Sequence, residues 1–120
     1  MKTEFQPTGA MSDDLLRLLK FRGDGLSFAE ILRFIPRAAG DRSIELGKKN
    51  LLIWTGVSQE LIDTINELEK LGLAELKGCS QLTYLADGSV LNLPLARNFR
   101  DYKSPHWVPS MLGLKKKLAA

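Results

Sequence analysis

The segment SQELIDTINELEKLGL, residues 58–73, decides how this sequence is expected to fold. Ser58 is a favourable N-cap residue, and Gly72 stands where a left-handed residue commonly ends a helix. Apolar side chains recur between them with helical spacing, at Leu61, Ile65 and Leu68. The segment therefore predicts an amphipathic helix with an aliphatic buried face.

The opposite face of this helix is polar and mainly acidic. At about 100° per residue, it carries Gln59, Asp63, Asn66, Glu67 and Lys70, with Glu60 at its edge. Three carboxylates against one ammonium group make the exposed face of the predicted helix negative. An ordinary solvated helix face explains this pattern as well as a binding surface does.

Two earlier helices carry similar start signals. Ser12 is the expected N-cap of the first helix, and Gly23 stops it. Ser27 is the expected N-cap of the second, and Glu30, three residues on, completes a capping box. Pro36 ends this helix because the residue before proline is driven out of the α region.

The regions before and after the 58–71 helix are predicted to have different secondary structures. Residues 43–49 are expected to include some helix capped by Ser43, followed by extended chain at LLIW, residues 51–54, although a loop before the extended run also fits. After Gly72 the period changes, and LAELKG, CSQLTYLADG and SVLNLPL read as three strands. Gly78 and the Asp87-Gly88 pair mark the turns between them.

Three helices followed by a hairpin resemble a winged helix-turn-helix domain. TGVSQELIDTINELEKLGLAEL, residues 55–76, resembles the family's turn, third helix and entry into the wing, and its ending reads I-x-x-L-x-x-x-G-L. LLRLLKFRGDGLSFAEIL, residues 15–32, resembles the first two helices with their connector. The resemblance implies an α+β fold: a winged helix of three to four helices plus a small antiparallel β-sheet with a wing. This domain would span residues 12–93, between a flexible lead at residues 1–11 and an irregular basic C-terminal arm at residues 94–120.

The resemblance also implies where DNA would be contacted. In this family the third helix usually enters the major groove and the wing touches the backbone. The matching positions here are polar side chains of the predicted helix and one lysine near the predicted wing tip: Ser58, Gln59, Asn66, Lys70 and Lys77. The expected function is that of a non-enzymatic DNA-binding module that regulates transcription.

Charge is distributed unevenly along the chain, whose net charge is +3. Residues 94–120 contain six basic side chains against one acidic residue, whereas acidic residues outnumber basic ones in the remainder. Such asymmetry is a hint of an anionic partner. Further nucleic-acid-binding candidates are therefore the basic residues Lys48, Lys49, Arg97, Arg100 and Lys103. Aromatic residues interleave with the last three, and aromatic rings can stack on unpaired bases.

A second interpretation is a protein-interaction module. Its docking surface would be the acidic helix face, with Glu60, Asp63 and Glu67, or the tail around Trp107. Homodimerisation through the first helix or the tail is compatible with either interpretation.

Several classes of function lack sequence support. Cys79 is the only cysteine, which excludes an intramolecular disulfide and fits a reducing cytosol. One cysteine and one histidine, His106, offer no metal-ligand cluster, and no phosphate-binding glycine motif is present. We therefore expect no metal, no cofactor and no catalytic residues. The N-terminus lacks an apolar signal region and no apolar run is long enough to cross a bilayer, so we expect a cytoplasmic protein without membrane contact.

Overall fold

The structure, a computed structural model, describes residues 10–23 and 25–115. In this part of the chain it has an α+β fold with four α-helices and two three-stranded sheets. The order is α1 (Met11–Arg22), β1 (Leu26–Ser27), α2 (Phe28–Phe34), a 3₁₀ turn (Pro36–Ala38), β2 (Ala39–Glu45), β3 (Leu51–Val57), α3 (Gln59–Lys70), β4 (Ala74–Gly78), α4 (Gln81–Ala86), β5 (His106–Trp107) and β6 (Ser110–Leu114).

Each of the two sheets combines strands from distant parts of the sequence. The first sheet has the order β1-β6-β4, and both pairings are antiparallel, with Leu112 of β6 opposite Leu26 on one side and Leu76 on the other. The second sheet has the order β2-β3-β5, in which β2 and β3 form an antiparallel hairpin and β5 adds in parallel. Both sheets therefore depend on strands that come after residue 105.

The predicted caps of α2 and α3 are confirmed. The Ser27 hydroxyl accepts from the Glu30 backbone N–H at 3.1 Å, and Ser58 does the same for Leu61 at 3.1 Å. Gly72 has a φ of 73°. Its N–H bonds to a carbonyl of the last turn of α3, and so does the N–H of the residue after it, as in a Schellman ending.

Two details of the first helices differ from the prediction. α1 begins at Met11 and its N-cap is Ala10, so Ser12 is not the cap. The earlier start buries Met11, which is 4% exposed, and lets the Asp14 N–H bond to the Ala10 carbonyl at 2.9 Å. Second, the Glu30 carboxylate, which the sequence predicts to complete a capping box with Ser27, forms an ion pair with Arg22 at 2.7 Å. This ion pair connects α2 to the end of α1.

Residues 39–57 form the β2–β3 hairpin, so the prediction of helix around residues 43–49 is wrong. Gly47 and Asn50 both adopt positive φ, 70° and 59°, and this reverses the chain between the two strands. A helix cannot contain two such residues. The extended run from Leu51 to Trp54 is confirmed, and all four of its side chains are buried.

The expected wing hairpin of residues 79–93 is also absent: the second predicted strand is the helix α4, and residues 89–93 form no strand. The Ser80 hydroxyl caps α4 by accepting from the Leu82 N–H at 3.1 Å. The helix directs Tyr84 into the core, where its hydroxyl accepts from the Phe28 N–H at 3.0 Å and donates to the Ser110 carbonyl at 2.5 Å. The antiparallel partner of β4 is β6 instead.

The prediction of an irregular C-terminal arm is wrong for residues 106–114, which supply β5 and β6. Trp107 is 2% exposed and its indole N–H donates to the Ile53 carbonyl at 3.2 Å, so it is a core residue rather than a docking residue. Its ring lies 5.9 Å from Trp54 and 5.2 Å from Tyr84, centroid to centroid. This aromatic cluster joins α4 to the second sheet, and the hydrogen bond from the Tyr84 hydroxyl to the Ser110 carbonyl connects it to β6 of the first sheet. Two of the three lysines in the run 115–117 lie outside the described residues.

No helix within the described ranges has the length and apolar character that crossing a membrane requires.

Candidate nucleic-acid interface

The turn between β2 and β3 is held against the loop that precedes β5. The Lys49 N–H donates to an Asp101 carboxylate oxygen at 2.8 Å, and the Tyr102 N–H donates to the Lys49 carbonyl at 3.0 Å. The Asn50 side-chain amide donates to the Tyr102 carbonyl at 2.9 Å. These bonds join residues 52 or 53 positions apart in the sequence. The turn and the loop thus form one surface.

Five basic side chains meet on this surface, which we call the basic rim: Lys48, Lys49, Arg97, Arg100 and Lys103. All but Lys48 are exposed, and Lys48 is half-buried with its ammonium 5.3 Å from the centre of the Phe99 ring. Asp101 is the only carboxylate in the turn or the loop, and it already accepts the Lys49 N–H. Within the turn and the loop, five cations therefore stand against one carboxylate, and Glu45 at the end of β2 is the carboxylate that precedes the turn in the sequence.

The buried Tyr102 side chain binds the loop backbone through hydrogen bonds of its hydroxyl group. Its hydroxyl oxygen accepts from the N–H groups of Asn98 at 3.1 Å and Arg97 at 3.2 Å, and it donates to the Asn98 carbonyl at 3.0 Å. The hydrogen bond from the Asn98 N–H is the largest cause that lowers the pKa of Tyr102 from its usual value. The Arg97 N–H and the Arg100 guanidinium lower this pKa as well, because each stabilises the phenolate, whereas burial raises it. The ring stacks on His106 at 3.9 Å and lies 4.2 Å from the Arg100 guanidinium carbon.

Two depressions adjoin the basic rim and share Arg97 and Asn98 as their common wall. The larger, about 460 Å³, is also lined by Arg100, Tyr102 and His106. The smaller, about 190 Å³, is bordered by Phe99, whose side chain is 64% exposed. The surface is therefore indented as well as positively charged.

Of the residues predicted on α3, only Asn66 borders the turn, through a cleft that Gly47 also lines. Ser58 and Gln59 follow the far end of β3, a seven-residue strand that separates them from the turn by about 20 Å. Ser58 is occupied as the N-cap, and the Gln59 amide donates to Asp63 at 2.9 Å. Asn66 and Lys70 are exposed, and Asn66 lines a cleft of about 280 Å³ between α3 and the β2–β3 hairpin.

The acidic side chains of α3 have partners within the chain. Glu60 forms an ion pair with Arg37, and one Arg37 Nε–Oε1 contact measures 3.2 Å. Glu69 accepts weakly from the Leu76 N–H at 3.4 Å. Glu67 is exposed beside Leu71, which is 62% exposed. The exposed face of α3 is therefore acidic with one apolar side chain at its end.

Lys77 is not at a wing tip. It lies on β4 in the first sheet and pairs with Glu75 at 3.5 Å, and the chain after it leads into α4. Five of the ten predicted nucleic-acid candidates thus belong to the turn and the loop. Asn66 shares a cleft with Gly47 of the turn, whereas Ser58, Gln59, Lys70 and Lys77 belong to other parts of the structure.

The surroundings of Cys79 disfavour a nucleophilic thiolate, and His106 is engaged in other contacts. Burial raises the pKa of the Cys79 thiol, and the charge of Asp87 raises it further, whereas a hydrogen bond with Thr83 acts against both. A raised pKa disfavours the nucleophilic thiolate. His106 is stacked on Tyr102, and its Nδ1 lies 2.8 Å from the Ser104 carbonyl oxygen. Over the described residues, no group of three His, Cys, Asp or Glu side chains could hold a metal ion.

Sequence reasoning did not identify Asn50 and Tyr102 as the residues that assemble the basic rim. Gly47 and Asn50 flank the two lysines, and this pair of turn-forming residues between two apolar runs is the signal that could have revealed the turn. The contact between the turn and the later loop has no signal in the local sequence.

The chain matches no protein-family model, and comparisons with curated proteins and with solved structures found no match. The functional interpretation therefore rests on the geometry and charge of the basic rim.

Proposed function

We propose that the protein is a non-enzymatic DNA-binding module that regulates transcription, and that it contacts DNA through the basic rim. One observation carries this proposal. Two basic segments that are distant in sequence are fixed side by side, and the only carboxylate between them is occupied by a backbone N–H. A surface with this composition attracts a polyanion.

Phosphate contacts supply most of the general affinity of a protein for DNA, because each one releases a condensed counterion. Two of the five rim cations, Arg97 and Arg100, carry guanidinium groups that bind phosphate oxygens through two parallel hydrogen bonds. If all five contact phosphates, the logarithm of affinity falls with the logarithm of salt concentration with a slope of about −4 to −5 on duplex DNA.

The topology supports a winged-helix arrangement as part of the proposal. Three helices, α1, α2 and α3, precede the antiparallel pair of β4 and β6, and β1 pairs with the other edge of β6. In this interpretation residues 79–109 replace a short wing tip. The β2–β3 hairpin lies along the second half of α3, where Asn66 and Ile44 line the same cleft. Its position and the acidic face of α3 favour DNA contact at the basic rim over groove entry by α3.

Charge reversal tests the proposal. We expect Lys48→Glu/Lys49→Glu to weaken binding of a fluorescein-labelled random duplex by at least about 100-fold at low salt. The matched control is Lys20→Glu/Lys115→Glu, which changes net charge equally at exposed positions on α1 and after β6. Fluorescence anisotropy at several salt concentrations gives both affinity and slope. Equal loss in both variants, or no binding by the wild-type protein at low salt, contradicts the proposal.

A second candidate function is protein docking at the end of α3. Leu71, 62% exposed, lies with Asp63 and Glu67 around a depression of about 370 Å³. An exposed leucine beside carboxylates fits a partner with apolar and basic side chains. Leu71→Ser combined with Asp63→Asn and Glu67→Gln is expected to abolish capture of such a partner and to change DNA affinity by less than about threefold. If the triple variant captures the same proteins as the wild type, this candidate fails.

A further inference from the structure

We propose that the basic rim binds an unpaired nucleic-acid strand and that Phe99 is the surface on which one base stacks. This inference rests on the proposed nucleic-acid binding and specifies which form of nucleic acid is preferred. It assigns a role to an aromatic residue that charge alone does not explain.

Phe99 is exposed although it lies within a well-fixed loop. Its side chain is 64% exposed, and the Lys48 ammonium lies 5.3 Å from its ring centre. The neighbouring Tyr102 differs: its ring is 7% exposed and is covered by His106 and Arg100. Phe99 is thus the aromatic ring of this loop that can receive a ligand.

A duplex offers Phe99 no suitable partner. Paired bases are stacked on one another, so a duplex presents phosphates and base edges to a protein and hides the base faces. An unpaired base has a free face, and stacking on an aromatic ring tolerates any base identity. An exposed phenylalanine surrounded by cations therefore matches a single strand better than a double helix.

The shape of the surface agrees with this preference. The depressions on the two sides of Arg97 and Asn98 have volumes of about 460 and 190 Å³, and Phe99 borders the smaller one. No described helix carries a rim residue, so the rim has no helix to insert into a major groove. A flexible strand can follow an indented surface and place its phosphates on the rim cations.

The stacking surface is held in place before binding. The loop on both sides of Phe99 is fixed by the Tyr102 hydroxyl through Arg97 and Asn98, and by the bond from the Lys49 N–H to Asp101. A surface that is already ordered loses less conformational entropy when a ligand binds. This reduces the cost of stacking a base on one exposed ring.

The test compares strands on the full chain by fluorescence anisotropy. The probes are labelled oligothymidine and oligouridine of about 12 nucleotides, and a blunt-ended DNA duplex with a matching number of phosphates. We expect both single strands to bind at least about tenfold more tightly than the duplex. Phe99→Ala should weaken single-strand binding by about 5- to 100-fold and change duplex binding less than about twofold. Phe99→Tyr should restore single-strand binding.

The matched control is Leu82→Ala, which removes another large exposed side chain, 67% exposed on α4, and should leave all affinities unchanged. Thermal unfolding monitored by circular dichroism confirms that each variant is folded. Duplex preference, or tight single-strand binding that Phe99→Ala does not weaken, overturns this inference and leaves the proposed function standing. Failure of every probe to bind at low salt overturns both. A difference between oligothymidine and oligouridine that persists in Phe99→Ala arises from the sugar or the thymine methyl group, and leaves stacking supported by the Phe99→Ala loss.

Discussion

Helix α3 and the basic rim carry opposite charge and are built in different ways. The carboxylates of α3 belong to one continuous segment, and Glu60 and Asp63 interact with Arg37 and Gln59. The basic rim comes from two segments joined by hydrogen bonds between residues 52 or 53 positions apart. A charged helix face is thus evident in a sequence, whereas a charged surface made by tertiary contacts is not.

Helix α3 and the basic rim are also attached to the core in different ways. α3 buries its own aliphatic stripe, including Leu61, which is fully buried. The loop of the basic rim carries mostly exposed side chains and is anchored through Tyr102 and through Trp107 in β5. The two regions therefore should respond differently to changes at these anchors.

The largest expected effect is that of Trp107→Ala. Removing a ring that packs on Trp54 and Tyr84 should lower the free energy of unfolding by about 3–5 kcal/mol. Urea unfolding followed by far-ultraviolet circular dichroism measures this loss. The control is Leu71→Ala on the exposed end of α3, which should change stability by less than about 0.5 kcal/mol. A loss below about 1 kcal/mol for Trp107→Ala would show that the rim segment is not integrated with the core that holds α3.

A smaller effect is expected from Tyr102→Phe. It removes the oxygen that accepts from the Arg97 and Asn98 N–H groups, and should cost about 1–2 kcal/mol of stability. Amide hydrogen exchange should become faster at Arg97 and Asn98, whereas the α3 amides should change only by the overall loss of stability. This pattern would show that the effect is confined to the loop. DNA affinity should fall severalfold because Arg97 is held less firmly.

Tyr84→Phe is the matched control for this prediction. It removes the hydroxyl bonded to the Phe28 N–H and the Ser110 carbonyl, away from the basic rim. It should also cost about 1–3 kcal/mol of stability, but leave DNA affinity unchanged under conditions where the protein stays folded. Equal losses of affinity in both variants would mean that binding follows overall stability and not the order of the rim loop.

The smallest effect is expected on α3 itself. Asp63→Asn/Glu67→Gln should raise DNA affinity by less than about threefold at low salt, and this gain should vanish near 0.15 M salt, where the Debye length is about 8 Å. Anisotropy titrations at both salt concentrations measure the change. A loss of affinity greater than about tenfold would place DNA on α3 and reverse the comparison.

Much of the first part of the fold could be predicted because its signals are local. Ser27 and Ser58 cap helices through the N–H three residues on, and Gly72 ends α3 through its own φ, so a few neighbouring residues determine these features. The fold class followed from such signals. The structure confirms an α+β fold with four helices in the described part of the chain. The winged-helix assignment stays a proposal.

The second part could not be predicted because its elements are defined by distant partners. QLTYLA alternates in a way that is typical of a strand, yet it is helical because Ser80 caps it and Tyr84 is bonded to Phe28 and Ser110. The short run SMLGL, residues 110–114, is a strand because β1 and β4 flank it. The basic candidates could be named from the sequence: Lys48, Lys49, Arg97, Arg100 and Lys103. Their assembly into one site could not be foreseen, because it depends on contacts between distant segments.

The central position of β6 has a consequence for the order of events during synthesis. β1 and β4 have no other strand partner among the described residues, and both are translated before β6. At about 5–20 residues per second, a ribosome needs roughly 2–7 s to add the residues from the end of β4 to the end of β6. During that interval a nascent chain carries two strands whose backbone N–H and C=O groups are unpaired, which are templates for aggregation. The first sheet is therefore completed only after Leu114 has been added, and until then the early part of the chain has only its helices and the β2–β3 hairpin as ordered elements.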